Sequence, residues 1–370
     1  MPLQYTDLLA FVQLLLPTLR ATRQRNLVWL VLGLLQVRDA HLTISEVARA
    51  IHTRSSHWHK FKRMYRFLSN LKWSPQDCCD ELLPFLLSRF RCNGYLPVII
   101  DQSTLGGRWE VLWAAVPFRG RALPIYFRLF TYAAIRSDPE GSQTKLEDEF
   151  IRAVVRRLPC PADAVLLFDR GYARVSLLRL LATLHVKYVL RVRADTWVCH
   201  RRYAGPLSDI PIRRGGLLWW PQVRYHKHER YPTNLAIARN ATAKEPWYLL
   251  TNLSRAATAV SWYERRFRCE ELFKDIKDQL HLETLRLRKS CQVERLLFGI
   301  VVAYYALTLI GVAAKRAGLN CKVCKDRTSA AWMALRLLKM PQFLKPRLVR
   351  RALLQYCWSL AYESTKKPPT

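Results

Sequence analysis

Tyr263, Arg266, Glu270 and Lys277 stand at offsets of zero, three, seven and fourteen within fifteen residues of this chain. On a helix turning about 100° per residue, those offsets put a phenol, a guanidinium, a carboxylate and an ammonium within roughly 60° of arc. The apolar residues of the same stretch, Trp262, Leu272, Phe273, Ile276 and Leu280, fall on the adjoining arc, which can pack against a sheet while the polar stripe faces a site. A carboxylate between two cations matches phosphate chemistry: the acid can hold a metal and the cations can hold phosphate oxygens. A solvated, salt-bridged helix has the same composition, so the stripe alone leaves both readings open. Glu271, Asp275 and Asp278 share the helix but lie off the stripe.

Two further carboxylates narrow the choice. The apolar run Leu96-Pro97-Val98-Ile99-Ile100 leads to Asp101, and Ala164-Val165-Leu166-Leu167-Phe168 leads to Asp169-Arg170-Gly171-Tyr172. An acid at the tip of a buried strand is costly unless it is paired or binds a metal. Asp101 as a turn cap and Asp169 as a partner of Arg170 would each explain one strand. Two such strands followed by a helix carrying Glu270 have the order of a site in which two metals about 4 Å apart activate a nucleophile and stabilise a leaving oxygen.

The spacing Y-x2-R-x3-E-x6-K at Tyr263, Arg266, Glu270 and Lys277 resembles, position for position, the signature of a large group of bacterial insertion-sequence DDE transposases. Asp169-Arg170-Gly171-Tyr172 is similar to the segment carrying that group's second catalytic aspartate, and Val98-Ile99-Ile100-Asp101 to the first. Tyr65-Arg66-Phe67-Leu68-Ser69-Asn70 resembles its N-terminal region, so the likeness spans about residues 60–315. The resemblance implies that Asp101, Asp169 and Glu270 bind two divalent ions, magnesium with manganese as a substitute. It implies phosphate contacts from Arg266, Lys277 and Tyr263, a hairpin intermediate on the DNA end, and a homodimer in the synaptic complex.

The composition fits a polyanionic partner. Sixty Lys and Arg against 28 Asp and Glu leave a net charge of +32, far beyond what solubility asks for. Membrane surface is the rival polyanion; twelve Trp and sixteen Tyr among the basic residues favour nucleic acid, where flat rings stack on bases. The start of the chain lacks a basic segment with a small-residue cleavage site, so the expected location is the cytoplasm, at the nucleoid. The ten cysteines then read as reduced thiols, with Cys321-x2-Cys324 structural, and His57-x-His59 and His226-x-His228 lack partners at metal-site spacing. Leu296 to Ala314 is free of charge and long enough for a membrane span, but its place after the Glu270 helix fits a buried central helix better, and no membrane partner is expected.

Along the chain, residues 1–92 read as a helical DNA-end-binding region. Thr43 and Glu46 have capping-box spacing, a basic helix follows from Ser56 to Leu68, and eleven Lys or Arg against two acids lie between Leu19 and Trp73. Residues 93–193 read as the first part of a catalytic core: strands at Pro97–Ser103, Arg108–Pro117 and Arg121–Phe130, a helix from Gln143 to Leu158, a fourth strand to Asp169, a helix from Val175 to His185 and a fifth strand at Lys187–Val192. With a closing helix in 255–315, that is the order of a ribonuclease-H-like α/β fold. Residues 194–254 read as a β-rich insertion containing Trp197, Trp219, Trp220 and Trp247. On its own Trp247 reads as a packing residue; the resemblance implies that it stacks on a base flipped out of the transposon end. Residues 316–370 form a basic C-terminal region, helical at first, with eleven cations and one acid, Asp326, between Lys315 and Arg351.

The expectation is a metal-dependent polynucleotidyl transferase that cuts at the terminal inverted repeats of its own element and joins them to target DNA. A nuclease on the same fold that cuts without joining, and a catalytically silent regulator descended from a transposase, are the alternatives.

Overall fold

The computed structural model describes residues 2–37, 41–87, 94–240, 245–319 and 328–355. Cys321, Cys324, Asp326 and the segment Lys366-Lys367-Pro368-Pro369 lie outside them.

The basic N-terminal stretch is helical: α1 (Tyr5–Leu15), α2 (Ala21–Leu34), α3 (Ile44–Ala50), α4 (His57–Leu68) and α5 (Pro75–Leu87). Side-chain oxygens set the starts of α3 and α4. Thr43 accepts from the Glu46 N–H at 3.1 Å, and Ser56 caps α4 through the His59 N–H. Only half of a capping box forms at Thr43, because the Glu46 carboxylate turns to Arg49 instead.

Strands β1 (Leu96–Leu105), β2 (Trp109–Phe118) and β3 (Arg121–Phe130) form an antiparallel meander. All ten residues of β2 are buried, as expected where helices cover both faces of a sheet. After α6 (Tyr132–Ser137), which the sequence does not signal, α7 (Gln143–Arg156), β4 (Ala164–Phe168), α8 (Val175–Thr183) and β5 (Lys187–Val192) follow. β4 pairs parallel with both β1 and β5.

The segment read as an insertion supplies β6 (Trp197–His200), β7 (Tyr203–Pro206), β8 (Leu217–Tyr225), β9 (Tyr231–Ala238) and β10 (Trp247–Thr251). These strands extend the central sheet. β10 lies antiparallel to β5, with Tyr248 opposite Val192, and the ten strands run in the order β3-β2-β1-β4-β5-β10-β9-β8-β6-β7. This mixed sheet with flanking helices is the ribonuclease-H-like α/β architecture.

Beyond the sheet come α9 (Ala256–Glu264), α10 (Arg268–Lys274), α11 (Ser290–Arg316), α12 (Ala330–Leu338) and α13 (Pro346–Leu354). Every residue of α11 from Leu296 to Ala314 is buried, so among the described residues the one helix long and apolar enough to cross a membrane has its apolar stretch inside the protein. It is tied to the N-terminal helices by polar contacts: Gln292 Nε2 donates to Ser69 Oγ at 2.8 Å and Arg295 Nη2 to the Trp73 carbonyl at 2.7 Å. Gly311 lets α12 approach α11 closely, since a Cβ there would lie 1.8 Å from the Ala330 carbonyl oxygen.

Candidate active site

Asp101 and Asp169 become neighbours through strand register. Ile100 pairs with Phe168 in the parallel β1–β4 ladder, so the next residue on each strand is an aspartate. Asp101 sits inside β1, with four more strand residues after it before Gly106, whereas Asp169 leaves β4 and opens a tight turn through Tyr172.

The helical stretch opposite them departs from α-helical pitch twice. α9 passes into a 3₁₀ turn at Arg265–Phe267, then into α10, then into a π turn at Asp275–Gln279. Such pitch changes are short and recur at functional sites. A uniform helix was expected, and the structure departs from it at both turns. Tyr263, Arg266 and Glu270 remain together. Lys277 falls inside the wider π turn, where each residue advances less around the axis, and its ammonium pairs with Glu283 at 3.5 Å.

Arg266 is the hub of the site. Its Nη1 donates to Asp101 Oδ2 at 3.1 Å and its Nη2 to Glu270 Oε1 at 2.5 Å, while Tyr263 donates to Asp169 Oδ1 at 3.4 Å. Arg266 is 3% exposed. Burial works against its charge, but Tyr263 and the three acids around it reverse that effect and hold its pKa above the ordinary guanidinium value. Asp101 is pushed up to about 6, first by burial and then by Asp169 and Glu270; Arg266 and the Gln102 N–H, which donates to Asp101 Oδ1 at 2.9 Å, act in the opposite direction. Tyr263, fully buried, is raised to about 12 chiefly by burial. Glu270 stays more than half exposed, open to anything that approaches the site.

Among the described residues no group of three or more His, Cys, Asp or Glu lies close enough to hold a metal ion. The three acids were expected to converge on a shared metal pair; here they are joined through a guanidinium and a phenol. A carboxylate donor set still has the chemistry that hard divalent cations take. Asp101 and Glu270 also need a counter-cation, and Arg266 fills that role for both.

Trp247, at the start of β10, lies against this cluster. Its ring stacks on Phe267 at 5.6 Å and meets Tyr263 edge-on at 5.2 Å, so the packing reading from chemistry alone describes its contacts. It is only partly buried, which leaves some of its surface accessible.

Three features of the site were not read from the sequence. Arg191 of β5 hydrogen-bonds to Tyr263; its signal was a cation between Leu190 and Val192 in the buried part of the strand. Arg174 binds Glu147 and Asp148, both at 2.6 Å, fixing α7 against the turn after Asp169. Asp275, buried on the far side of the Glu270 helix, accepts from Arg121 of β3 at 3.2 Å, Tyr304 of α11 at 3.3 Å and Ser329 at the start of α12 at 3.2 Å. It lies off the catalytic stripe, as expected, and clamps the helix from behind.

No curated protein sequence matches the chain. Residues 127–306, which include Asp169, Arg266 and Glu270, match the family model of the transposase DDE domain, and together with the architecture of the sheet this match supports a DDE transposase.

Proposed function

We propose that the chain is a DNA transposase of the insertion-sequence group with the Y-x2-R-x3-E-x6-K signature. It would cut at the terminal inverted repeats of its element and join the ends to target DNA. The observation that carries this reading is the gathering of Asp101 and Asp169, from adjacent parallel strands, with Glu270 around the buried Arg266.

In this reading Asp101, Asp169 and Glu270 hold divalent ions, magnesium or manganese, which when bound supply acidity to the attacking hydroxyl and charge stabilisation to the leaving oxygen. The chain's own groups do the positioning. Arg266, fixed by two acids and unable to lose its proton at neutral pH, orients phosphate through a planar fork of donors. Tyr263 stays protonated and keeps its O–H directed at Asp169, so it restrains that carboxylate without competing for a proton. Lys277 adds a flexible cation next to the scissile region. Trp247 offers a face to a base leaving the stack if the DNA end closes into a hairpin, and a second copy of the chain holds the other end in a homodimer.

The test is a cleavage and strand-transfer assay on DNA carrying the gene's own flanking inverted repeats, with magnesium. Wild-type protein should nick and join, and Asp101→Ala, Asp169→Ala and Glu270→Ala should bind the ends without cutting. Trp247→Ala should nick normally and slow at the later steps. Cutting without joining would make the protein a nuclease, and end binding without cutting a silent regulator. A Glu270→Ala protein that still cuts would sink the assignment.

A further inference from the structure

A concentration of positive charge lies on helices other than the one that carries Glu270. Arg20, Arg23 and Arg25 at the start of α2 and Lys62, Arg63 and Arg66 of α4 line a cleft of about 940 Å³, and no acid lines it. Among the described residues none of these six has a carboxylate partner. Holding so many cations together in one concave surface is unfavourable until an anion enters. Arginine forks suit phosphate oxygens in particular.

An aromatic ladder runs along the neighbouring face of α4. Trp58 stacks on Phe61 with ring centroids 5.7 Å apart and planes within 6° of parallel, and Phe61 stacks on Tyr65 at 6.0 Å. Their i, i+3, i+7 spacing makes them one stripe. The far end of the ladder is anchored: Lys289, at the start of α11, donates to the Tyr65 hydroxyl at 3.2 Å. The near end is open, with Trp58 57% exposed. Core packing does not explain a tryptophan held in a stacked array and left in water. Lys62 joins the two features, because its ammonium sits 4.8 Å from the Trp58 ring centroid and it also lines the cleft.

A cationic track beside an exposed, pre-stacked aromatic surface is the physical description of a site for unpaired nucleic acid. In a duplex the base faces are hidden in the stack, so an open indole gains little from it. In a single strand each base has a free face. We propose that the α2–α4 cleft and the Trp58–Phe61–Tyr65 ladder bind an unpaired DNA strand, with its phosphates between the two helices and a base stacked on Trp58. This site uses none of the residues placed at the three acids, so it goes beyond the catalytic reading and does not depend on it.

The experiment is equilibrium binding by fluorescence anisotropy, in EDTA so that nothing is cut. The full chain is titrated into a labelled oligothymidine and into a labelled duplex of random sequence. Trp58→Ala should weaken oligothymidine binding by about 5- to 150-fold, the range for losing one base–aromatic stack, and leave duplex binding nearly unchanged. Trp58→Phe, which keeps a ring on Phe61, should restore most of the affinity. The Arg63→Ala, Arg66→Ala pair should weaken both ligands and make the salt dependence shallower. Circular dichroism and the melting temperature establish that each variant is folded. Oligothymidine affinity unchanged by Trp58→Ala, or equal losses for single strand and duplex, would overturn the proposal. The assay does not read cleavage, so either result leaves the assignment of Asp101, Asp169 and Glu270 standing.

Discussion

Asp101→Asn should make the metal-free protein more stable at neutral pH. Asp101 is raised from an ordinary carboxylate value of 3.8 to about 6, chiefly because folding buries it. A carboxyl whose folded pKa lies above its unfolded one costs nothing below about pH 4, where it is protonated in both states. As pH rises from about 4 to 6 the unfolded chain gives up its proton first, stability falls, and above about 6 the whole cost is present. At 1.36 kcal/mol per unit, a displacement of about two units corresponds to about 3 kcal/mol. Asparagine keeps the shape and removes the charge, so up to that amount should return at pH 7.5 and almost none at pH 4. Part of the gain is offset because Arg266 loses one of its two carboxylate partners and keeps Glu270. The assay is urea denaturation of wild-type and variant protein in EDTA across pH 4 to 8, comparing midpoints at equal slope. A variant less stable than wild type at pH 7.5, or a difference that does not grow between pH 4 and 6, would refute the reasoning. The same variant should be inactive in cleavage, a stability gain at the expense of function.

Asp275→Ala should destabilise by about 2–4 kcal/mol, because it strands the buried Tyr304 hydroxyl and removes one of the carboxylates that Arg121 meets; Asp275→Asn should cost less, and chemical denaturation distinguishes the two. Gly311→Ala should cost about 1–3 kcal/mol or more, since its methyl group would collide with the Ala330 backbone, and a melting temperature equal to wild type would contradict the packing of α11 on α12. Lys277→Ala should change stability by less than about 1 kcal/mol, as expected for a half-open pair with Glu283, while lowering but not abolishing cleavage. Duplex affinity should fall steeply with salt, given a net charge of +32, and a flat titration would remove the electrostatic basis of DNA binding.

Local pattern carried much of the fold. The strands Arg121–Phe130, Lys187–Val192 and Leu217–Tyr225 have the limits that their β-branched and aromatic runs suggest, since a buried strand bounded by turns is a local event. Asp101 and Asp169 were legible for the same reason, each following an apolar run that can only be interior. What escaped was set by distant partners. The joining of β10 to β5 depends on contacts across more than fifty residues, so the sequence did not show that the β-rich segment from 194 to 254 extends the central sheet. The pitch changes on either side of Glu270 escaped because a period of 3.6 residues was carried through a stretch that contains a 3₁₀ turn and a π turn. Asp275 looked like a surplus acid, because Arg121, Tyr304 and Ser329 come from three separate elements.

The buried helix α11 also bears on how the protein is made. The N-terminal helices and β3 pack on a segment that begins at Ser290, so the chain must be synthesised past Ser290 before they can cover their apolar sides. At typical rates of about 5–20 residues per second, a ribosome needs roughly 10 to 50 s to pass from the end of α2 to Ser290. Through that interval α2 and β3 remain without their central partner, available to chaperones and to other nascent chains. A message truncated before codon 316 would yield a chain lacking part of the element on which both halves assemble, and such fragments should be captured by holdases or degraded.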